Sequence, residues 1–387
     1  MNKRAEFLPF AQPYYDNAEL DGITAAIKSG WWTKGPKTAE FEEAFAKYVG
    51  AKYALAVNSC TAALHLSLVC MGIGPGDEVI TTPMTFCASA NTIVHAGATP
   101  VFADIDVDTG LINPREIEKK ITKNTKAILP VHYAGQACDM AAINKLADAH
   151  GLKVIEDAAH AVYTTYKDAM IGGSNTVAFS FYANKNLSTG EGGMLTSDDE
   201  ELIDKARVMS LHGMSKGAWN RFAGGSWKYE VLAAGYKYNI TDIAASLGLA
   251  QLDKLESMQA TRRQITEIYD EYFAQANGII PLKDAGHGRH SNHLYIIRVD
   301  GNKISLGRDE FIETLNNDYN IGVSVHYIPV HLQPFYRQNF GTKPGDYAQT
   351  EQLYSQVISL PIYPSMTKGD AEYAAQAVCH IANIHTK

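Results

Sequence analysis

The chain has 387 residues, 46% hydrophobic and 20% charged, with a net charge of -8, a balance that suits a globular protein with apolar material for more than one core. No long basic run occurs, so a nucleic-acid groove or an acidic membrane surface is not the expected partner, although a local basic pocket for a phosphorylated ligand stays open. No stretch approaches ~18 apolar residues, the start MNKRAEFLPFAQP lacks the apolar core of a leader, and the five scattered cysteines (Cys60, Cys70, Cys87, Cys138, Cys379) form no CxxC; the expectation is a cytoplasmic protein with no membrane insertion, no disulfide framework and no structural metal.

In chain order, short β-branched apolar segments are predicted as strands at 53–58, 78–82, 100–104, 127–131, 153–157, 176–182 and 193–197. Helix-period stretches lie among them at 61–72, 114–121 and 139–150, with another at 199–211. Such alternation predicts an α/β fold with a mainly parallel seven-stranded sheet covered by helices. A long helical stretch follows at 241–275, then a strand at 294–299, a helix at 307–317, a strand near 321–327 and a last helix at 369–383. The natural division is a large α/β domain over 1–250 and a smaller C-terminal α+β domain over 251–387.

In parallel sheets ligands bind outside the carboxyl ends of the strands, and polar residues gather there strand after strand. The first strand ends in Asn58-Ser59-Cys60-Thr61 and runs into a helix; this is either a plain N-cap or a phosphate cradle. After the second strand comes Phe86, which could lie on a heteroaromatic ring or simply pack. The fifth ends Glu156-Asp157-Ala158-Ala159-His160. There Asp157 either caps a turn or keeps a proton on a pyridine nitrogen, so that the ring can draw electrons from a carbanion. The sixth ends FSFYANKNL, which puts Lys185 in aromatic surroundings before the glycine-rich STGEGG. A lysine in an apolar site loses basicity and becomes a nucleophilic amine, and glycines let backbone approach closely. Phosphate-ready helix, then aspartate, then lysine is the order that pyridoxal 5'-phosphate requires on such a scaffold.

The segments GWWTKGPKTAEFEEAF (30–45), NSCTAALHLSL (58–68), GDEVITTPMTF (76–86), VIEDAAHA (154–161), FSFYANKNLSTGEGG (179–193) and GYKYNITDIAASLGLAQL (235–252) resemble the sugar aminotransferases of the DegT/DnrJ/EryC1/StrS family over nearly the whole chain. The resemblance implies the fold type I, aspartate aminotransferase-like architecture of pyridoxal-phosphate-dependent transferases. It implies Lys185 as the Schiff-base lysine and general acid/base, Asp157 on the pyridine nitrogen, His160 beside the phenolic oxygen and Phe86 on the ring. Thr61, the backbone of Cys60, and Ser180 would hold the phosphate, with Asn239 reaching it from the second subunit of a homodimer. Trp32, Lys34, His326, His331 and Tyr336 are implied for the sugar or nucleotide pocket. The segments PVHYAG (130–135), EVLAAGYKYN (230–239) and HLYIIRVD (293–300) are nearest to the branch of the family that aminates a UDP-linked 4-keto-pentose with L-glutamate, giving 2-oxoglutarate and a 4-amino sugar for a surface glycan or lipid A. Phe86, in place of tryptophan, and HYIPVH at 326–331 depart from that branch and point to other UDP- or TDP-linked 4-keto sugars.

Rival readings meet specific obstacles. A dinucleotide oxidoreductase wants GxGxxG where this chain has NSCTAAL, and the dehydratase relatives of the family carry histidine where Lys185 stands. His287, His290 and His293 form an HxxHxxH run, but it lies in a Gly- and Ser-containing loop that leads into a strand, not on one helix face. The expectation is a solvated loop whose last histidine packs near the sugar pocket.

Overall fold

A computed structural model describes residues 1–215 and 228–387. Its main sheet is built from β1 (Tyr53–Val57), β2 (Glu78–Thr81), β3 (Thr99–Phe102), β4 (Thr125–Leu129), β5 (Lys153–Asp157), β8 (Thr176–Ser180) and β9 (Gly193–Ser197), with the small hairpin β6 (Thr165–Tyr166) and β7 (Ala169–Met170) standing apart. The strand order is β1-β9-β8-β5-β4-β2-β3. All neighbours are parallel except β9, which runs antiparallel to both β1 and β8. The seven predicted strands are therefore all present in a mainly parallel sheet. Five of them stop one or two residues before their predicted ends, because residues such as Val131 and Phe181 have already turned into loops at the carboxyl edge.

Helices cover both faces, which explains why these strands read as apolar runs instead of alternating. They are α1 (Asn17–Lys28), α2 (Pro36–Val49), α3 (Cys60–Cys70), α4 (Cys87–His95), α5 (Pro114–Lys120), α6 (Met140–His150) and α7 (Glu200–Met209). On one face the rings of Phe41 and Phe45 from α2 meet Phe179 and Phe181 at 5.0–5.3 Å. On the other, α3 is buried nearly all round, with Leu64, Leu66 and Leu68 inaccessible.

The helical stretch predicted over 241–275 is two helices, α8 (Asp242–Asp253) and α9 (Leu255–Phe273). The break falls at Lys254, whose ammonium bonds Asp16 and Glu19 at the start of α1. α8 packs on α1 and α2, whereas α9 packs on the last helix. Beyond α9 a three-stranded antiparallel sheet forms from β10 (Ile279–Pro281), β11 (Tyr295–Val299) and β12 (Val357–Leu360). Helices α10 (Arg308–Tyr319), α11 (Pro334–Phe340), α12 (Ala348–Gln356) and α13 (Lys368–Ile384) accompany it. Tyr269, Phe273, Phe311 and Ile381 fill its core, together with Leu8 from the far end of the chain.

The strand predicted near 321–327 is not one. Ile321 makes an isolated bridge to Leu8 and Ser324 one to Ser359, after which the chain leaves β12 and carries His326 and Tyr327 to the carboxyl edge of the main sheet. Side-chain bonds described below take over from a ladder there.

Candidate active site

The first wall of the site is the start of α3. Ser59 caps the helix by accepting from the Ala62 N–H at 3.1 Å, so the amides of the first turn and the Thr61 hydroxyl face the cavity at the end of β1. β9 passes close behind. A Cβ added at Gly193 would lie 2.4 Å from the carbonyl carbon of Ser59, so the glycine there is needed for backbone to pack against backbone. Ser180, the last residue of β8, adds a second hydroxyl.

Asp157 ends β5 and is 4% exposed. Ser89 of α4 donates its hydroxyl to Oδ2 at 2.7 Å, and the Ala159 N–H donates to Oδ1 at 3.0 Å. Burial pushes its carboxyl above the ordinary value, opposed by those two hydrogen bonds and by the charge of Lys185. It forms no ion pair among the described residues. A carboxylate so placed is stabilised by any cation brought into the cavity.

Lys185 sits in the turn after β8, its backbone N–H donating to the Tyr182 carbonyl at 2.9 Å. The side chain is half-buried and lines the same cavity as Asp157. Burial lowers its ammonium from 10.5 to about 8, against the opposing pull of Cys60 and Asp157.

Three histidines line the far wall. His160 and Tyr327 share a hydrogen bond of 2.8 Å between Nε2 and the phenol, while Nδ1 of His160 is buried with no partner among the described residues. His293 lies with its ring centre 4.4 Å from that of His160, and His326 bonds Ser359 of β12 through Nδ1 at 2.8 Å. Burial holds all three imidazoles below their ordinary basicity, with the charge of Lys185 adding to it. Tyr133, at the end of β4, donates its hydroxyl to the His326 carbonyl, which fastens the 326–327 segment over the cavity. Phe86 is 59% exposed at the mouth, its ring centre 6.0 Å from that of Tyr327.

The cavity measures about 520 Å³. It brings together Cys60, Thr61, Phe86, Asp157, His160, Ser180, Lys185 and His326 from the residues singled out in the sequence, drawn from five separate segments of the chain. Tyr336 lines instead an adjoining groove of about 820 Å³ that shares Thr85, Phe86 and Tyr327 with the cavity, and its hydroxyl donates to Asn91 at 2.6 Å.

Other expected site residues lie elsewhere in this chain. His331 is fully enclosed and bonds Glu351 of α12 at 3.0 Å, so it ties down the α11–α12 region instead of facing a ligand. Lys34 pairs with Glu42 at 3.3 Å, and Trp32 donates its indole N–H to the Ile27 carbonyl while most of its surface is exposed. Asn239 is bridged to Val57, outside the lining of its own chain's cavity. Sequence reasoning did not single out Ser89, Tyr182, Asn184, Asn186, Glu191 or Tyr327. Of these, Tyr182, Asn184 and Asn186 flank the lysine and Tyr327 follows His326, so adjacency was the available signal.

The cavity suits a phosphorylated pyridinium aldehyde. Donors stand at a helix N-terminus for an anion, a buried carboxylate with no ion pair among the described residues stands ready for a ring cation, and a weakly basic lysine lies beside it. The sequence profile of one family runs through this whole constellation, matching residues 13–379. The chain belongs to the DegT/DnrJ/EryC1/StrS aminotransferase family. Within or alongside that family it is similar to the spore coat polysaccharide biosynthesis protein SpsC of Bacillus subtilis, 54% identical over 380 residues that cover 98% of each chain. The Streptococcus pneumoniae protein Spr1654 in its PLP form superposes with a TM-score of 0.91 at 35% identity, covering 98% of this chain and 99% of that one. PseC of Helicobacter pylori, an aminotransferase involved in the biosynthesis of pseudoaminic acid, gives 0.91 at 31% identity, covering 98% and 100%.

Proposed function

We propose that this aminotransferase moves the amino group of L-glutamate to the carbonyl of a 4-keto nucleotide sugar, with pyridoxal 5'-phosphate as its cofactor and Lys185 as the lysine that holds it. The observation that carries this reading is the meeting in one cavity of a lysine held near 8, a buried carboxylate without an ion pair, and hydroxyls at the N-terminus of α3. When bound, the cofactor supplies a ring that withdraws electrons from the carbon bearing the transferred nitrogen. At a value of about 8, roughly a tenth of the Lys185 amine is uncharged at pH 7, against well under a thousandth for an ordinary lysine. Lys185 can therefore act as nucleophile, and once displaced it remains tethered beside the reacting carbon as base and then acid.

Asp157 would hold the proton on the ring nitrogen, oriented for it by Ser89 and the Ala159 N–H. Thr61, the backbone of Cys60, and Ser180 would bind the phosphate, Phe86 would cover the ring, and His160 would face the phenolic oxygen. Asn239 would reach a second subunit's phosphate in a homodimer. Replacing Lys185 with alanine is expected to abolish both the absorbance of lysine-bound cofactor and turnover; persistence of both would overturn the assignment.

The acceptor favoured by the 130–135, 230–239 and 293–300 segments is a UDP-linked 4-keto-pentose, aminated in the cytoplasm for a surface glycan or lipid A. A second reading, a UDP-4-keto-6-deoxy-N-acetylhexosamine or a TDP-4-keto-6-deoxyhexose, is supported by Phe86 and by the HYIPVH segment. Incubation with a panel of such sugars and glutamate, followed by mass analysis, separates them. Amination of none, with a plain keto acid accepted instead, would sink the sugar reading and leave the cofactor chemistry standing.

A further inference from the structure

His293 is 4% exposed, lines the cavity and takes no part in the chemistry assigned to Lys185 and Asp157. Its protonation pattern is fixed by bonds around it. The Ser291 carbonyl can only accept, and Asn186 donates its amide Nδ2–H to that carbonyl at 2.7 Å. The other end of the same amide, Oδ1, therefore faces Nδ1 of His293 at 3.0 Å, and since Oδ1 can only accept, Nδ1 must carry the hydrogen. Burial and the neighbouring His160, Lys185, Arg262 and His326 all disfavour a second proton. Nε2 is then left as a bare lone pair on a residue lining the cavity, since the one side-chain hydrogen bond of His293 among the described residues is made at Nδ1.

The segment that carries the ring is itself fastened. Arg262, enclosed in α9, donates to the carbonyls of Asn292 and Ile362 at 3.2 and 2.9 Å, and the Ser291 hydroxyl donates to the His160 carbonyl at 2.8 Å. The ring has little freedom to turn its acceptor away. The other histidines of the run do not join it: His290 accepts from the Asn292 N–H, and His287 lies beside Tyr166. Among the described residues no cluster suited to a metal occurs.

We infer that His293 is a specificity-determining residue that accepts a hydrogen bond from a hydroxyl of the keto-sugar, and that Asn186 is its positioning residue. This rests on the sugar-amination reading above. The chemistry of the two substrates separates them at such an atom. Apart from the nitrogen it gives up, a dicarboxylic amino donor offers only carboxylate oxygens, which are acceptors and are repelled by a lone pair. A sugar offers hydroxyl donors. His293 thus favours the sugar half-reaction and contributes nothing to binding glutamate.

The test begins with ¹⁵N NMR of the histidine-labelled full-length protein without added cofactor, the His293 signal being assigned by its loss in His293→Asn. A single N–H at Nδ1 is expected; a proton on Nε2 overturns the inference whatever the substrate is. In the loaded enzyme His293→Leu should raise KM for the keto-sugar at least about tenfold, the size of one lost hydrogen bond, with KM for glutamate within about twofold. An equal rise for both substrates, or for neither, overturns it. Asn186→Ala should spread the His293 proton over both nitrogens and raise the keto-sugar KM alone; an unchanged Nδ1–H signal would remove Asn186 from the role. Loss of amination on every sugar by the unmodified enzyme would be a failure of the functional reading, which the NMR result does not depend on.

Discussion

Asp242 and Asp157 are both enclosed, 1% and 4% exposed, and both stand near helix starts, yet their surroundings differ in one decisive respect. Asp242 reaches from α8 to the start of α2 and is saturated. Oδ1 accepts from the Gly35 N–H, the Thr38 N–H and the Thr38 hydroxyl at 2.7–3.0 Å, and Oδ2 accepts from the Lys37 N–H at 3.0 Å. Asp157 receives two hydrogen bonds within 3.0 Å and only a long contact of 3.9 Å from the Cys60 thiol. A saturated carboxylate at a helix N-terminus stabilises the fold. An undersatisfied one at the carboxyl edge of a parallel sheet is held at a cost in folding and is available to a ligand.

Substitution by asparagine should separate the two most widely. Asp157→Asn keeps the shape but removes the negative charge, and kcat/KM is expected to fall by about 10³-fold, roughly 4 kcal/mol of transition-state stabilisation. Since burial already pushes the Asp157 carboxyl toward its neutral form, the melting temperature of the cofactor-free protein should stay level or rise. For Asp242→Asn the outcome is reversed. Four donors cannot all be served by an amide, so unfolding free energy should drop by about 3 kcal/mol, with kcat/KM of the folded fraction within about threefold. A large activity loss from the second substitution, or a large stability loss from the first, would erase the distinction.

Lys185 extends the comparison to pH. Its folded value of about 8 lies below the unfolded 10.5, so between these values the unfolded chain binds more protons and stability rises with pH. Below about 8 the full cost of the buried ammonium is present. Denaturant titrations of the cofactor-free protein should therefore gain up to about 3 kcal/mol from pH 7.5 to 10.5 relative to Lys185→Met. Parallel pH profiles for the two proteins would mean that the lysine is not held in an apolar setting.

The same contrast explains what could be read from the sequence. The seven main strands were legible because burial on both faces leaves unbroken apolar runs, and the strand-end rule then pointed to Thr61, Asp157 and Lys185, which line one cavity with Ser180, a residue the family resemblance supplied. The motif at 30–45 was legible too, but its meaning was not. Nothing in GWWTKGPKTAEF reveals that Lys34 is engaged by Glu42 and that the following turn is engaged by Asp242, over 200 residues away. Satisfaction is a property of distant partners. For the same reason 321–327 read as a strand: its β-branched residues are there, whereas the bonds from Tyr133, Ser359 and His160 that draw it into the cavity come from three other segments. His331 looked like His326 in sequence, but it is enclosed against Glu351 whereas His326 is held by Ser359 at the cavity.

The smallest expected effect probes how far Asp157 depends on its orientation apart from its charge. Ser89 supplies its shortest hydrogen bond, 2.7 Å to Oδ2, and is itself placed by Thr85, 2.8 Å away on the turn into α4. Ser89→Ala removes that donor without touching the charge, the cavity lining or the lysine. A carboxylate freed on one side can rotate, and a hydrogen bond to a charged group is worth about 1.5–3 kcal/mol when wholly lost. Water or the bound ring can take over part of that role, so kcat/KM should fall by about tenfold, well short of the loss for Asp157→Asn. Most of the decrease should appear in kcat, since Thr61 and Ser180, proposed to hold the phosphate, are not touched by the substitution. A loss as large as that of the charge itself would mean that Ser89 governs the charge state of Asp157 as well as its direction, and cofactor absorbance measured against pH in the variant would show it as a displaced transition.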